Sequence, residues 1–193
     1  DAQALVPELD ALLSRATEAL RDVFPAEPLA FVNDLPHLPA FAANALNVTP
    51  YANELDGERA AKCIERFGPK QAVRCDVERL IASNKAFSIG WYNPPYDHDA
   101  TASGNKRVEF RYLHHAWKWI QDGGLVLWAV YLQHLTEDAT AFLSKNSLQV
   151  DVWALPGKHL NEYNQIVVAA VKGLNPNAEA VYGKIMTRKA APQ

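Results

Sequence analysis

The stretch Ala86-Phe87-Ser88-Ile89-Gly90-Trp91-Tyr92-Asn93-Pro94-Pro95-Tyr96 decides how this chain is read. Its first seven residues form an apolar, aromatic-rich run that predicts a buried strand over 86–92, stopping at a polar-tipped loop. The two prolines fix the backbone and remove two N–H donors, so nearby carbonyls point outward with no ladder or helix to occupy them. An amide side chain on one flank and an aromatic ring on the other complete a small platform. Such a platform grips a flat amino-bearing group by hydrogen bonds and stacks on its face. Four such residues alone are more often a turn, so their meaning rests on what surrounds them.

Upstream, apolar spacing predicts a helix over 4–24, a strand over 29–32, a short helix over 39–47, a strand over 51–55, a helix over 57–67 and a strand over 71–75. Downstream it predicts a helix over 107–120, then the most apolar strand over 125–132, opened by Gly123-Gly124. A helix over 137–143 and strands over 148–154 and 165–171 follow, and the tail over 173–193 has weak periodicity and is expected to be loosely held. Alternating strands and helices imply an α/β fold: a doubly wound, mostly parallel seven-stranded sheet with helices on both faces. The last two strands are joined through Pro156-Gly157 without a convincing helix, which predicts an antiparallel hairpin at one edge. One domain over 1–172 is expected, with the helix in 1–27 packed on it.

In open sheets of this kind ligands bind at the carboxyl ends of the strands. That rule selects Asn33-Asp34, Glu54, Asp76 and Asn93-Pro94-Pro95-Tyr96, all polar where the preceding strands are apolar.

The bulk numbers narrow the field. A hydrophobic fraction of 49% and a charged fraction of 21% are those of an ordinary soluble globular protein. The net charge of −3 gives no overall cationic surplus of the kind that grips duplex nucleic acid unaided. Cys63 and Cys75 are the only cysteines, and they lack metal or redox spacing, so two buried thiols in a reducing cytoplasm are expected. No apolar stretch approaches the roughly 20 residues that span a bilayer, and the acidic start (Asp1, Glu8, Asp10) does not suit a targeting peptide.

The order of motifs from about Thr49 to Val171 resembles class I S-adenosylmethionine-dependent methyltransferases, in the amino-methyltransferase branch with an Asn-Pro-Pro-Tyr motif. The resemblance rests on Tyr51-Ala52-Asn53-Glu54-Leu55-Asp56-Gly57-Glu58-Arg59-Ala60, Arg74-Cys75-Asp76, Trp91 to Asp97, Gly123 to Leu127 and Tyr131-Leu132-Gln133-His134. The whole pattern is similar to that of adenine-methyltransferase-like proteins of bacteria and their mobile elements. It implies S-adenosylmethionine as cofactor, with Glu54 and its neighbour Leu55 at the ribose, and Asp76 and Val77 at the adenine ring. It implies that Asn93 and Pro94 accept hydrogens from the target amine through the amide oxygen and the main-chain carbonyl. Pro95 would stiffen that clamp, and Tyr96 would stack on a flipped base.

One element of the pattern departs. The family's cofactor loop follows the first strand and is Gly-rich, because the backbone must turn sharply and approach the methionine portion closely. Here no glycine precedes Gly57, and Asp34, which would be the acidic cofactor-binding residue that opens the loop, leads into Leu35-Pro36-His37-Leu38-Pro39. Either loop residues between Asp34 and Leu35 are missing from this sequence, which the abrupt passage towards a helix favours, or the loop is lost and the cofactor is held poorly.

Other residues admit plainer readings. Glu54 and Asp76 could instead cap the helices that follow them. Asp97-His98-Asp99 suits a polar loop far better than a metal site, and no metal is expected. Of His114 and His115, one ring is expected packed and one exposed. Gln133 and His134 either shape the substrate pocket or make a structural hydrogen bond. Trp91 and Tyr92 are expected in the core. Lys106, Arg107 and Arg111 are either phosphate contacts or isolated surface cations. The leading expectation is an enzyme, an N6-adenine methyltransferase acting on DNA. The alternatives are the same chemistry on RNA or on a protein glutamine, or a methyltransferase-like binding subunit without catalysis. A chain this short leaves little room for a target-recognition domain, so a specificity subunit or a homodimer is an expected partner arrangement.

Overall fold

The computed structural model describes residues 49–94, 107–154 and 164–190, and divides the chain after Ile81 into two compact units. The first unit contains a βαβ motif. Strand β1 (Ala52–Glu54) pairs in parallel with β2 (Ala72–Arg74), in the register Ala52 to Ala72 and Glu54 to Arg74. Helix α1 (Gly57–Phe67) makes the crossover. Asp56 starts it by accepting the Arg59 N–H at 3.0 Å, which satisfies one of the orphan donors of the first turn. Gly68 ends it at φ +85°, a conformation natural to glycine, and returns its N–H to the Ile64 carbonyl. The helix buries Ala60 and Cys63, three residues apart on one face.

The second unit is a four-stranded mixed sheet in the order β3-β4-β6-β5. Its elements are β3 (Phe87–Tyr92), α2 (Val108–Ala116), β4 (Ile120–Tyr131), α3 (Glu137–Asn146), β5 (Ser147–Ala154), β6 (Gln165–Lys172) and α4 (Ala178–Ala190). β3 and β4 run parallel, with Tyr92 opposite Trp128, whereas β4–β6 and β5–β6 are antiparallel. Residues 125–130 of β4 are buried at every position, the pattern of a central strand covered on both faces. Trp128, Val126, Val130, Val152, Ile166 and Val168 form the middle of the core, with Leu113 of α2 and Ile185 of α4 packed into it.

Several expectations are corrected. The described residues hold six strands, in a pair and a set of four, rather than one seven-stranded doubly wound sheet; the strand expected over 29–32 lies outside them. The larger sheet is mixed, and the antiparallel pairing of β5 with β6 at one edge is as expected. The helix expected to reach Ile120 stops at Ala116, passes through a 3₁₀ turn (Trp117–Trp119), and gives way to β4 five residues early.

Gly123-Gly124 therefore lies inside β4. Opposite Phe87 to Ile89, β4 runs from Ile120 to Leu125, so three extra residues bulge out. Gly123 sits in this bulge at φ +78°, and a Cβ on Gly124 would come within 2.6 Å of Ile120 Cγ2 and 2.9 Å of the Ser88 carbonyl. The tail is also better held than its periodicity suggests. α4 buries Ile185, and Lys184 and Arg188 both pair with Asp151 of β5, at 2.9 and 3.5 Å. Cys63 is buried as expected, but Cys75 is only half-buried, and both thiols are free. No helix among the described residues is long and apolar enough to cross a membrane.

Candidate functional site

In the first unit, parallel pairing brings the carboxyl ends of β1 and β2 side by side, and a charged group gathers there. Glu54 Oε1 accepts the N–H groups of Leu55 at 2.8 Å and Asp56 at 2.9 Å. Arg59, in the first turns of α1, forks onto the same carboxylate: Nε donates to Oε2 at 2.9 Å and Nη2 to Oε1 at 3.0 Å. Burial alone would raise the Glu54 pKa, but the Arg59 hydrogen bonds and charge and the two backbone N–H groups outweigh it, and the carboxyl sits below its ordinary value. Oε1 already receives three of these donors and Oε2 one, so a further donor would find its place on Oε2.

Arg74, the register partner of Glu54, donates from Nε to the Leu55 carbonyl at 3.2 Å. Its guanidinium lies over Gly57, where a Cβ would come within 3.2 Å of Cζ. Asn53 Nδ2 ties the two strand ends together by donating to the Cys75 carbonyl at 2.8 Å.

The other residues expected at the cofactor stand as follows. Leu55 is largely exposed, at 58%. Asp76 caps the 3₁₀ turn Val77–Arg79, accepting the Glu78 N–H at 3.0 Å, so its capping role is realised; Val77 opens that turn and is half-buried. Asp34 and the segment after it lie outside the described residues.

In the second unit, β3 delivers Asn93, half-buried, and Pro94, buried, at its carboxyl end; Pro95 and Tyr96 lie outside the described residues. Tyr92 packs against the core and donates its hydroxyl to the Ala116 carbonyl at 3.3 Å, and burial pushes its pKa well up. Trp91 is likewise half-buried. Beyond the carboxyl end of β4, the 3₁₀ turn Leu132–His134 leaves Gln133 exposed and His134 buried.

His134 Nδ1 lies 2.8 Å from Glu109 Oε1, and Glu109, in the first turn of α2, has no exposed surface. Arg107 completes the group, with Nε and Nη2 each 3.3 Å from a Glu109 oxygen. Arg107 is therefore not an isolated surface cation, since it pairs with a buried carboxylate, and His134 makes a buried hydrogen bond. Lys106 and Asp97-His98-Asp99 lie outside the described residues, among which no cluster of three or more His, Cys, Asp or Glu groups could hold a metal ion.

Two features escaped the sequence reading. Arg59 had a usable signal, because it lies one helical turn after the Asp56 cap and five residues after Glu54. The Glu109–His134 pair had none, because its members are 25 residues apart and meet only through the β3-α2-β4 crossover. No curated protein matches the chain in sequence. The model of an uncharacterised methyltransferase family, DUF6094, matches residues 40–190, and the chain belongs to that family.

Proposed function

We propose that the chain is an S-adenosylmethionine-dependent N-methyltransferase whose target is the N6 amino group of adenine in DNA. The observation that carries this reading is Asn93-Pro94 at the carboxyl end of a parallel strand, in a chain of a methyltransferase family. The Asn93 amide oxygen and the Pro94 carbonyl supply two acceptors for one conjugated amine, drawing it towards tetrahedral geometry and aiming its lone pair. Catalysis is then mainly positioning and electrostatics. Tyr96 stacks on the base, and Pro95 stiffens the clamp between them.

The cofactor's part is an electrophilic methyl group on a sulfonium. Glu54 suits a ribose hydroxyl, because Arg59 and the backbone keep its carboxylate ionised and fixed while Oε2 retains acceptor capacity. Asp76 and Val77 would hold the adenine ring, and Asp34 would serve the methionine portion. The net charge of −3 favours help in gripping DNA, from a specificity subunit or a second copy of the chain. Two free thiols suit a cytoplasmic setting.

A second reading, a binding subunit without catalysis, draws on the four donors already on Glu54 and on the absence of glycine before Gly57. Calorimetry with S-adenosylmethionine separates the two, and absence of binding overturns the enzyme. With labelled cofactor, methyl transfer is expected onto DNA ahead of RNA or protein. Asn93→Ala should lower the rate by roughly 10²- to 10³-fold while leaving cofactor affinity unchanged. Undiminished transfer by that variant would remove Asn93 from the site.

A further inference from the structure

We propose that Glu109 and His134 are positioning residues for the target clamp at Asn93-Pro94, an inference that rests on the methyltransferase reading above. β3 and β4 run parallel, so both carboxyl ends lie on one edge of the sheet. α2 is the crossover between them and runs back against their direction, which puts its first turn, with Glu109, at that same edge. The chain leaves β3 through Asn93-Pro94, and Arg107 stands immediately before α2. The buried Glu109 carboxylate joins the start of α2 to the end of β4. On one side it holds Arg107, and on the other His134 in the turn after Tyr131.

The chemistry makes this join directional. Glu109 faces the Arg107 guanidinium and so acts as an ionised acceptor, which requires His134 Nδ1 to carry the hydrogen. A carboxylate fixes both the tautomer and the ring plane in this way. The Tyr131 ring, edge-on at 5.0 Å, supports the imidazole from the last residue of β4. A fully buried carboxylate is an expensive means of packing a helix on a strand, and an apolar side chain of the same volume would do so at lower cost. What the polar join adds is a single register between α2 and the end of β4. Asn93, on the strand hydrogen-bonded to β4, needs that register because near-attack geometry tolerates little displacement.

The test uses the full chain, labelled S-adenosylmethionine and adenine-containing duplex and single-stranded DNA, with three substitutions at one position. Asparagine places its amide N–H₂ where Nδ1 stands, whereas glutamine places it nearer Nε2. His134→Ala and His134→Gln should each lower kcat by roughly 10- to 100-fold. His134→Asn should stay within about threefold of the parent, because it keeps the hydrogen bond to Glu109. Rates are normalised to the folded fraction from melting curves, and calorimetric cofactor affinity should be the same in all four proteins. A purely structural role would scale every rate with stability. Parent-like normalised kcat in His134→Ala and His134→Gln overturns the proposal, as does a His134→Asn variant as slow as His134→Ala. If the parent itself transfers no methyl group to either DNA, the adenine reading falls and this inference falls with it. If the parent turns over and only the histidine series is flat, this inference falls alone.

Discussion

Two glutamates, one in each unit, are held by an arginine, and they are built differently. Glu54 retains some contact with solvent, its side chain 13% exposed, and among the described residues its partners come from the next five positions: the N–H groups of Leu55 and Asp56 and the side chain of Arg59. Glu109 is fully buried, and of its two partners among the described residues one, His134, arrives from 25 residues away. A local clamp forms as soon as the helix beside it forms. A tertiary clamp exists only when the β3-α2-β4 unit is complete. The first is therefore suited to presenting an acceptor, and the second to fixing a geometry.

The sharpest way to test the contrast is to remove each carboxylate. Glu109→Ala takes from the Arg107 guanidinium, only 18% exposed, the carboxylate that it shares with the buried His134. Taking one partner from a buried ionic group costs about 3–5 kcal/mol, and urea unfolding should show that loss in the midpoint at constant slope. A loss below about 1 kcal/mol would mean that the site relaxes or rehydrates, and Glu109 would no longer stand apart from Glu54.

The local clamp should yield less. A double-mutant cycle on Glu54→Gln and Arg59→Ala should return a coupling of about 0.5–1 kcal/mol, because Arg59 is 36% exposed and solvent screens the pair. A coupling near that of the buried group would show that Arg59 is shielded from water in solution.

The same contrast explains what was legible in the sequence. The α1 boundaries were readable because Asp56, Gly57 and Gly68 are local signals, and Glu54 could be found because a strand end followed by a helix start is a local pattern. β4 was misjudged at its start because Gly123-Gly124 reads as a break, whereas in the fold it is a bulge whose register depends on Phe87 and Ile89 of another strand. The tail looked loose because α4 buries little beyond Ile185 and is anchored by Lys184 and Arg188 on Asp151, a partner over thirty residues away. Asn93-Pro94 was visible as a strand end. The buried carboxylate joined to the neighbouring strand end was not, because Glu109, between Val108 and Phe110, looks like one polar residue on an amphipathic helix.

The smallest expected effect is also the most specific to the local clamp. The Glu54 carboxyl is pulled down from 4.5 in spite of its burial, so on acidification the unfolded chain takes up this proton before the folded one does. The stability that Glu54 contributes is therefore complete above its unfolded value and shrinks as pH falls through the lowered folded value. In urea, the gap between the parent and Glu54→Gln should be constant from pH 7 to about pH 5 and should narrow below that. Arg59→Ala removes the largest of the influences that lower this pKa and leaves burial, which opposes them, in place. In that background the narrowing should be smaller and should end at a higher pH. A gap that stays flat to pH 3 in both backgrounds would mean that Glu54 contributes through its shape and not its charge, and the argument that it presents an ionised acceptor would lose its basis.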